Sequence, residues 1–286
     1  MVKHPDFQLV HRLRVRWAEV DMQKIVFNAH YLMYFDTAIT DYWRALGLPY
    51  EEAMLELGGE LYVKKATVQY HGSARFDDLL DVVLKCLRIG NSSMVFSGAI
   101  FRGEVLLVSC ELVYVFADPI SQSSRAVPLA LRSLINRFEA GECVVTTRVG
   151  DWAVLGAQVG KIRAAVSVQE QGSASMGEPD ETDGLALHAV VLNALEQTIA
   201  TGRLVSLVCG AGEISRLAVH RAVRVAGIGQ GVLETLIHEA RKRGCTEALV
   251  HAQASTVGFY LRQGFLVGGA PSMAVGIPYV ELTRKL

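Results

Sequence analysis

Hydrophobic and polar residues alternate along residues 11–17, where Leu13, Val15 and Trp17 interleave with Arg12, Arg14 and Arg16. A period of two predicts a strand with one buried face. An irregular connection runs from Asp21 to Asn28. The period then changes. Tyr31, Tyr34, Phe35, Ala38, Ile39, Tyr42 and Leu46 recur at helical spacing and form one broad apolar stripe. Asn28 is placed as the N-cap of this long helix and Gly47 as its stop. Four runs rich in Val, Leu, Phe and Tyr come next, at 61–71, 79–88, 92–101 and 105–116. Their separators contain Gly, Asn, Asp or Ser, and the short connections predict antiparallel neighbours. A helix laid on a five-stranded antiparallel sheet would bury the stripe. A further helix starts near Pro128, with Leu131, Leu134, Ile135 and Phe138 on one face, and ends at Gly141.

Past residues 139–143 the pattern becomes an alternation of strands and helices. A strand is predicted at 144–149, then a helix capped by Asp151 with Leu155, Val159, Ile162 and Val166 on one side. Residues 169–184 are polar and turn-rich and read as a loop. Strands are predicted near 187–192, 204–208 and 214–219, a helix from about Gly229 to Arg243, a strand at 248–252, a short helix at 256–263 and two last strands. The fold class is therefore mixed α+β, in two domains, 1–140 and 141–286. A length of 286 residues suits two domains.

Composition narrows the function classes. Hydrophobic residues make up 51% of the chain and charged residues 20%, enough apolar material for two cores. The formal net charge of -1 supplies no global field for nucleic acid. No apolar run is long enough for a membrane span, and the first ten residues lack the apolar core of a secretory signal. The five cysteines, at 86, 110, 143, 209 and 245, form no CxxC pair. Reduced, buried thiols and a cytoplasmic location are the expectation, with no metal.

The segment VRWAEVDMQKIVFNAHYLMYFDTAITDYWRALG resembles the hotdog-fold acyl-CoA thioesterases of the 4-hydroxybenzoyl-CoA thioesterase and YbgC type. The resemblance covers roughly residues 7–135. It rests on an Asp, here Asp21, a short connection, an apolar pair, Val26–Phe27, and the start of the long helix at Asn28. Thioester hydrolysis needs a nucleophile or base and a stabiliser for the developing oxyanion. A carboxylate at a strand-to-helix junction can fill the first role, and the free N–H groups of a helix start the second. The resemblance puts Asp21 in the carboxylate role and the backbone N–H of Asn28 in the oxyanion role. Many relatives carry His at position 28, and His30 stands two residues on. Arg75 is a candidate for a coenzyme A phosphate. Homodimers or homotetramers are implied.

The segment EISRLAVHRAVRVAGIGQGVLETLIHEARKRG is similar to motif A of the GNAT acetyltransferase superfamily. The motif is Arg224-Val225-Ala226-Gly227-Ile228-Gly229, between a predicted strand and a predicted helix. Successive N–H groups and the helix N-terminus form a cradle for a pyrophosphate. Residues 249–269, LVHAQASTVGFYLRQGFLVGG, resemble motif B. The tail GIPYVELTRKL and the upstream VQEQG resemble an ElaA-like subgroup. By this resemblance Val219 pairs its backbone with the pantetheine arm, residues 224–229 hold the pyrophosphate, and Tyr260 protonates the leaving thiolate. Glu213 sits where some relatives place a catalytic base. Val225 departs from the family, where many members have Gly. The expectation is a bifunctional enzyme with acyl-CoA and acetyl-CoA as substrates, an amine acceptor and no tightly bound cofactor. Two other readings stay open: an acetyl-CoA-sensing, non-catalytic second half that regulates the thioesterase, and an acyl-CoA binding module without turnover.

Overall fold

The apolar stripe folds as α1, Asn28–Ala45, and buries Tyr31, Tyr34, Phe35, Ala38, Ile39 and Tyr42. The computed structural model describes residues 6–168, 178–207, 210–269, 272–274 and 277–286. Cys209, the end of the strand expected over 204–208 and residues 169–177 of the expected loop lie outside the described residues. Two compact units divide the chain, Met1–Val144 and Val145–Leu286.

In the first unit α1 lies on a five-stranded sheet. Its strands are β1 (Leu9–Arg14), β2 (Glu60–Tyr70), β3 (Leu79–Ile89), β4 (Ser93–Arg102) and β5 (Val105–Ala117). Their order is β1-β3-β4-β5-β2, antiparallel throughout. Gly98 lets the helix settle close to β4, because a Cβ there would fall 2.7 Å from both Phe35 and the Cys110 sulfur. Two further helices are α2 (Tyr50–Leu57), which the sequence pattern did not predict, and α3 (Leu129–Glu139). The C-terminal end of α3 is tied down by Glu139, whose Oε1 accepts from the Tyr42 hydroxyl at 2.6 Å and from the Cys86 N–H at 2.7 Å.

The alternation at 11–17 does not run its full length as a strand. The chain leaves the sheet after Arg14, and Trp17 is largely exposed in a short 3-10 turn, Trp17–Glu19. The reason is local. The Glu19 carboxylate reaches back to the Arg16 N–H at 2.7 Å and closes a capping box, which bends the backbone out of the extended state.

The second unit has an eight-stranded sheet. Its strands are β6 (Thr146–Gly150), β7 (Leu187–Leu192), β8 (Thr198–Ser206), β9 (Ala211–Val219), β10 (Glu247–Gln253), β11 (Leu266–Val267), β12 (Ser272–Ala274) and β13 (Ile277–Lys285). The helices are α4 (Trp152–Arg163), α5 (Ile228–Lys242) and α6 (Val257–Arg262). Asp151 caps α4, its Oδ1 accepting from the Val154 N–H at 3.0 Å. One face of the sheet packs on Val232, Leu233, Leu236, Ile237 and Ala240 of α5. The opposite face of β7 and β9 packs on Leu155, Val159 and Ile162 of α4. Strand order is β11-β13-β10-β9-β8-β7-β6, with β12 on β13.

Two irregularities of this sheet bear on the site. First, β9 and β10 are parallel and pair over only three residues, Ala211–Glu213 with Glu247–Leu249. Beyond Glu213 the two strands part and leave a gap. Second, β9 carries a bulge. Arg203 pairs with Ser215 and Thr201 with Ala218, so two residues, Arg216 and Leu217, stand opposite Gly202. Arg216 takes up the extra residue with φ 53°. Leu217 turns to the α5 side, near the position a Gly202 Cβ would take. Arg216 turns to the α4 side.

There it joins a charged cluster. Arg163 of α4 holds Asp183 in a two-point bond, 2.8 and 3.0 Å. Arg203 of β8 donates to Asp183 at 3.0 Å and to Asp180 at 2.6 Å. Arg216 donates to Asp180 at 2.8 Å. Arg163 and Asp183 are almost fully buried, 1% exposed each. Burial raises the carboxyl pKa of Asp183, but the guanidinium bonds outweigh it and hold the group below the ordinary range.

Candidate active sites

Asp21 sits at the tip of a tight turn. Its N–H donates to Ile25 C=O at 3.0 Å, and its C=O accepts from Lys24 N–H at 2.9 Å. Its Oδ1 accepts from the Gln23 N–H at 2.8 Å, a local bond that fixes the side chain. Glu19, two residues earlier, anchors the turn from below. It is 3% exposed and accepts from the Tyr34 hydroxyl, the Arg16 N–H and Arg16 Nε, each at 2.7 Å. Burial alone would raise the Glu19 carboxyl pKa, but these donors win and lower it. The Glu19 carbonyl accepts from Phe27 N–H at 2.9 Å, which delivers the chain into α1. Sequence reasoning missed Glu19, since nothing in an alternating run marks one carboxylate as buried.

The N-cap of α1 is Phe27, and Asn28 is the first helical residue, which corrects the expected cap. No side chain caps this end. At the first helical position the Asn28 N–H has no partner inside the helix. The Asn28 carbonyl accepts from the Tyr70 hydroxyl at 3.2 Å. Asp21, Val26, Phe27, Asn28, Tyr31 and Tyr70 line one cavity of ≈ 490 Å³. The two residues singled out in this half therefore meet at one site. Tyr31 is fixed there by accepting from the Ala74 N–H at 2.9 Å, and burial raises its pKa. His30 packs edge-on against Phe27 and does not line the cavity. Arg75 is exposed and outside it.

In the second unit the motif 224–229 forms the turn that leads from β9 into α5. His220 N–H donates to Ile199 C=O of β8 at 2.8 Å. Backbone direction alternates along a strand, so the Val219 N–H and C=O point to the other edge, toward the gap. Arg224 Nε donates to the Val219 carbonyl at 3.0 Å. Val225 and Gly227 both have left-handed backbones, φ 72° and φ 79°, with Ala226 between them. Gly227 is the N-cap of α5, Ile228 is buried beneath it, and Gly229 packs against Val219. Two left-handed residues at an uncapped helix start turn successive N–H groups toward one concavity, which suits an anion.

Val225 is a β-branched residue in the left-handed region and is fully exposed, 100%. Such a conformation costs about 1–3 kcal/mol, and glycine relieves it. Glycine also frees the unfolded chain by about 0.4–1 kcal/mol. Val225→Gly is expected to stabilise the chain by about 1 kcal/mol net, read as a higher thermal midpoint. A lower midpoint would show that Val225 carries no such strain.

Tyr260, on α6, is 7% exposed and packs edge-on against Phe259 and Phe265. Burial pushes its phenol up to about 12. Glu213 is the last β9 residue paired with β10, so it stands where the strands part. Its Oε1 lies 4.0 Å from His251 Nδ1. Sequence reasoning did not single out His251, although its place between Val250 and Ala252 sets it on the opposite face from the core.

The family model for the thioesterase superfamily matches residues 23–109, and that for the GNAT acetyltransferase domain matches residues 186–286. Over 128 residues the chain is 29% identical to the acyl-CoA thioester hydrolase YbgC of Escherichia coli, covering 44% of this chain and 92% of that one. Over 126 residues it is 29% identical to a Bacillus subtilis protein provisionally assigned as an acetyltransferase, covering 44% and 86%. Among solved structures, a provisionally assigned N-acetyltransferase from Lactobacillus plantarum superposes with a TM-score of 0.47 at 24% identity, over 50% of this chain and 99% of its own.

Proposed function

We propose, for a chain that joins a thioesterase-superfamily domain to a GNAT acetyltransferase domain, that each half turns over a coenzyme A thioester. The first half hydrolyses an acyl-CoA. The second transfers acetyl from acetyl-CoA to an amine. Both thioesters are substrates, and no tightly bound cofactor takes part. The observation that carries the reading is the cavity shared by Asp21 and the uncapped start of α1.

In hydrolysis the thioester carbonyl oxygen lies against the Asn28 N–H, where the helix dipole favours growing negative charge. The Asp21 carboxylate either takes a proton from the attacking water, or attacks the carbonyl carbon itself to form an anhydride that water then hydrolyses, freeing the acid and restoring Asp21. The thiolate of coenzyme A leaves and is protonated by solvent. Apolar residues of the same cavity, among them Val26 and Phe27, receive the acyl group. The edge strand β2 suits assembly as a homodimer or homotetramer.

In acetyl transfer the pyrophosphate rests on the turn 224–229, and the pantetheine arm pairs with the Val219 edge inside the gap between β9 and β10. Tyr260, held neutral by burial, gives its proton to the departing sulfur. Glu213, at the point where β9 and β10 part, faces the incoming amine.

The test uses the purified full chain. Thiol release is measured over a panel of acyl-CoA thioesters of different length and aromaticity. Release from acetyl-CoA is then measured with and without an amine panel. Hydrolysis of at least one acyl-CoA, and amine-dependent release from acetyl-CoA, are expected. Stoichiometric binding without turnover in either assay would reduce that half to a binding module.

A further inference from the structure

The sheet of the second unit has two unlike faces around β10. On one face Ala248, Val250 and Ala252 of β10 and Leu282 of β13 are buried in the core beneath α5. A period of two sends His251 and Gln253 of β10, and Tyr279 and Glu281 of β13, to the other face. The register places His251 beside Glu281 and Gln253 beside Tyr279. Glu213 of β9 joins this face, since Gly212 and Ile214 on either side of it turn to α5. These side chains are polar and partly exposed. The His251, Glu213 and Glu281 side chains keep 44%, 30% and 40% of their surface in solvent.

At the centre stands an imidazole between two carboxylates. His251 Nδ1 is 4.0 Å from Glu213 Oε1, and Nε2 is 3.6 Å from Glu281 Oε2. Both carboxylates thus lie within 4.0 Å of its ring nitrogens. The pairing of β9 with β10 ends at Glu213 and Leu249, so His251 is two residues past the point where the gap opens. Anything threaded into the gap from the α5 turn arrives beside this imidazole.

We propose that His251 is the group that takes the proton from the acceptor amine, and that Glu213 and Glu281 are positioning residues for it. This rests on the acetyltransferase reading of the second half. The amine enters over the polar face, and its nitrogen lone pair attacks the acetyl carbonyl carbon. The C–N bond forms and the C–S bond breaks. The nitrogen loses one proton to the His251 imidazole, and the sulfur gains one from Tyr260. His251 then releases its proton to solvent and Tyr260 is reprotonated, leaving an acetamide and free coenzyme A. The two carboxylates stabilise the imidazolium in between. Histidine suits the role because it changes charge near neutral pH and both of its ring nitrogens can carry a proton.

The experiment uses the full chain, acetyl-CoA, and putrescine, glucosamine and lysine as probe amines. His251→Gln keeps the size of the side chain and removes the proton acceptor. It is expected to lower kcat by about 100-fold with the best probe amine. The dissociation constant for acetyl-CoA, from calorimetric titration, should stay at the wild-type value. The deficit should shrink as pH rises and the amine sheds its own proton. For His251→Ala, imidazole in the buffer should restore part of the lost rate, which no structural role would do. Wild-type kcat in His251→Gln, or loss of activity in His251→Ala with no imidazole rescue, overturns the assignment of His251. Acetyl-CoA binding without acetyl transfer to any probe by the wild-type chain overturns the acetyltransferase reading itself.

Discussion

Asp21→Asn is expected to slow acyl-CoA hydrolysis by about 10²–10⁴-fold, the range associated with loss of a positioned acid–base or nucleophilic group. The substitution is chosen to leave the architecture alone. The Gln23 N–H bond at 2.8 Å needs only an oxygen acceptor at Oδ1, which an amide also offers. Glu19 and its three donors, which fix the turn from below, are untouched. A thermal midpoint near that of the wild type should therefore accompany the lost rate. Steady-state thiol release on the best acyl-CoA is the measurement. A variant with wild-type kcat would remove Asp21 from the chemistry and leave the cavity as a binding site.

Gly227→Glu should abolish acetyl-CoA binding without unfolding the chain. A Cβ at Gly227 meets no heavy atom within 4 Å, so no neighbour is struck. The left-handed backbone at φ 79° costs an L-residue about 1–2 kcal/mol. Part of that is recovered, because a carboxylate at the start of α5 complements the helix dipole by about 0.3–1 kcal/mol. The same carboxylate then occupies the place of the pyrophosphate and repels it. Like charges set together in a binding site cost several kcal/mol, or more than about 100-fold in affinity. Calorimetric titration of acetyl-CoA into the full chain measures the loss, and Gly227→Ala, which has the strain without the charge, separates the two contributions. Equal losses in both variants would put the effect in the backbone and not in an anion site. Acyl-CoA hydrolysis in the Glu variant carries a second answer. An unchanged rate means two independent enzymes, and a rate that moves means that the second half reports acetyl-CoA to the first.

The long helices were legible because one face of each is buried. The α1 stripe, the strands of the first sheet and the inward face of α5 emerge from the apolar pattern, whereas β8, expected at 204–208, spans Thr198–Ser206, and three strands rather than two follow α6. Short elements were not. The helix α2 has only eight residues, and among them only Ala53 and Met54 are buried, too few to repeat a period. Trp17 extended an alternation that the Glu19 capping bonds interrupt. Asn28 satisfied the preference for a cap, yet Phe27 takes that place, its backbone extended at φ -60° and ψ 134° while Asn28 already turns into the helix. The shared cavity of Asp21 and Asn28 was legible from a short motif, whereas His251 and Glu281 are brought together by a strand register that spans 30 residues. No local signal carries such a pairing. The same holds for the bulge at Arg216, which is visible only once β8 and β9 are aligned.

The charged cluster between α4, β8 and β9 limits how this half can change over evolutionary time. Each carboxylate there serves two guanidinium groups, and Arg203 serves both carboxylates. Loss of Asp183 alone would strand the Arg163 charge in a site with almost no water, at a cost of about 3–5 kcal/mol. Loss of Arg163 alone would strand Asp183 in turn. Replacement of the whole set by apolar residues of similar volume can be neutral or better. Single substitutions here therefore descend into a valley of stability while joint ones cross it. Drift at these five positions should be concerted, with arginine and aspartate gained or lost together, while the exposed positions around them change one at a time.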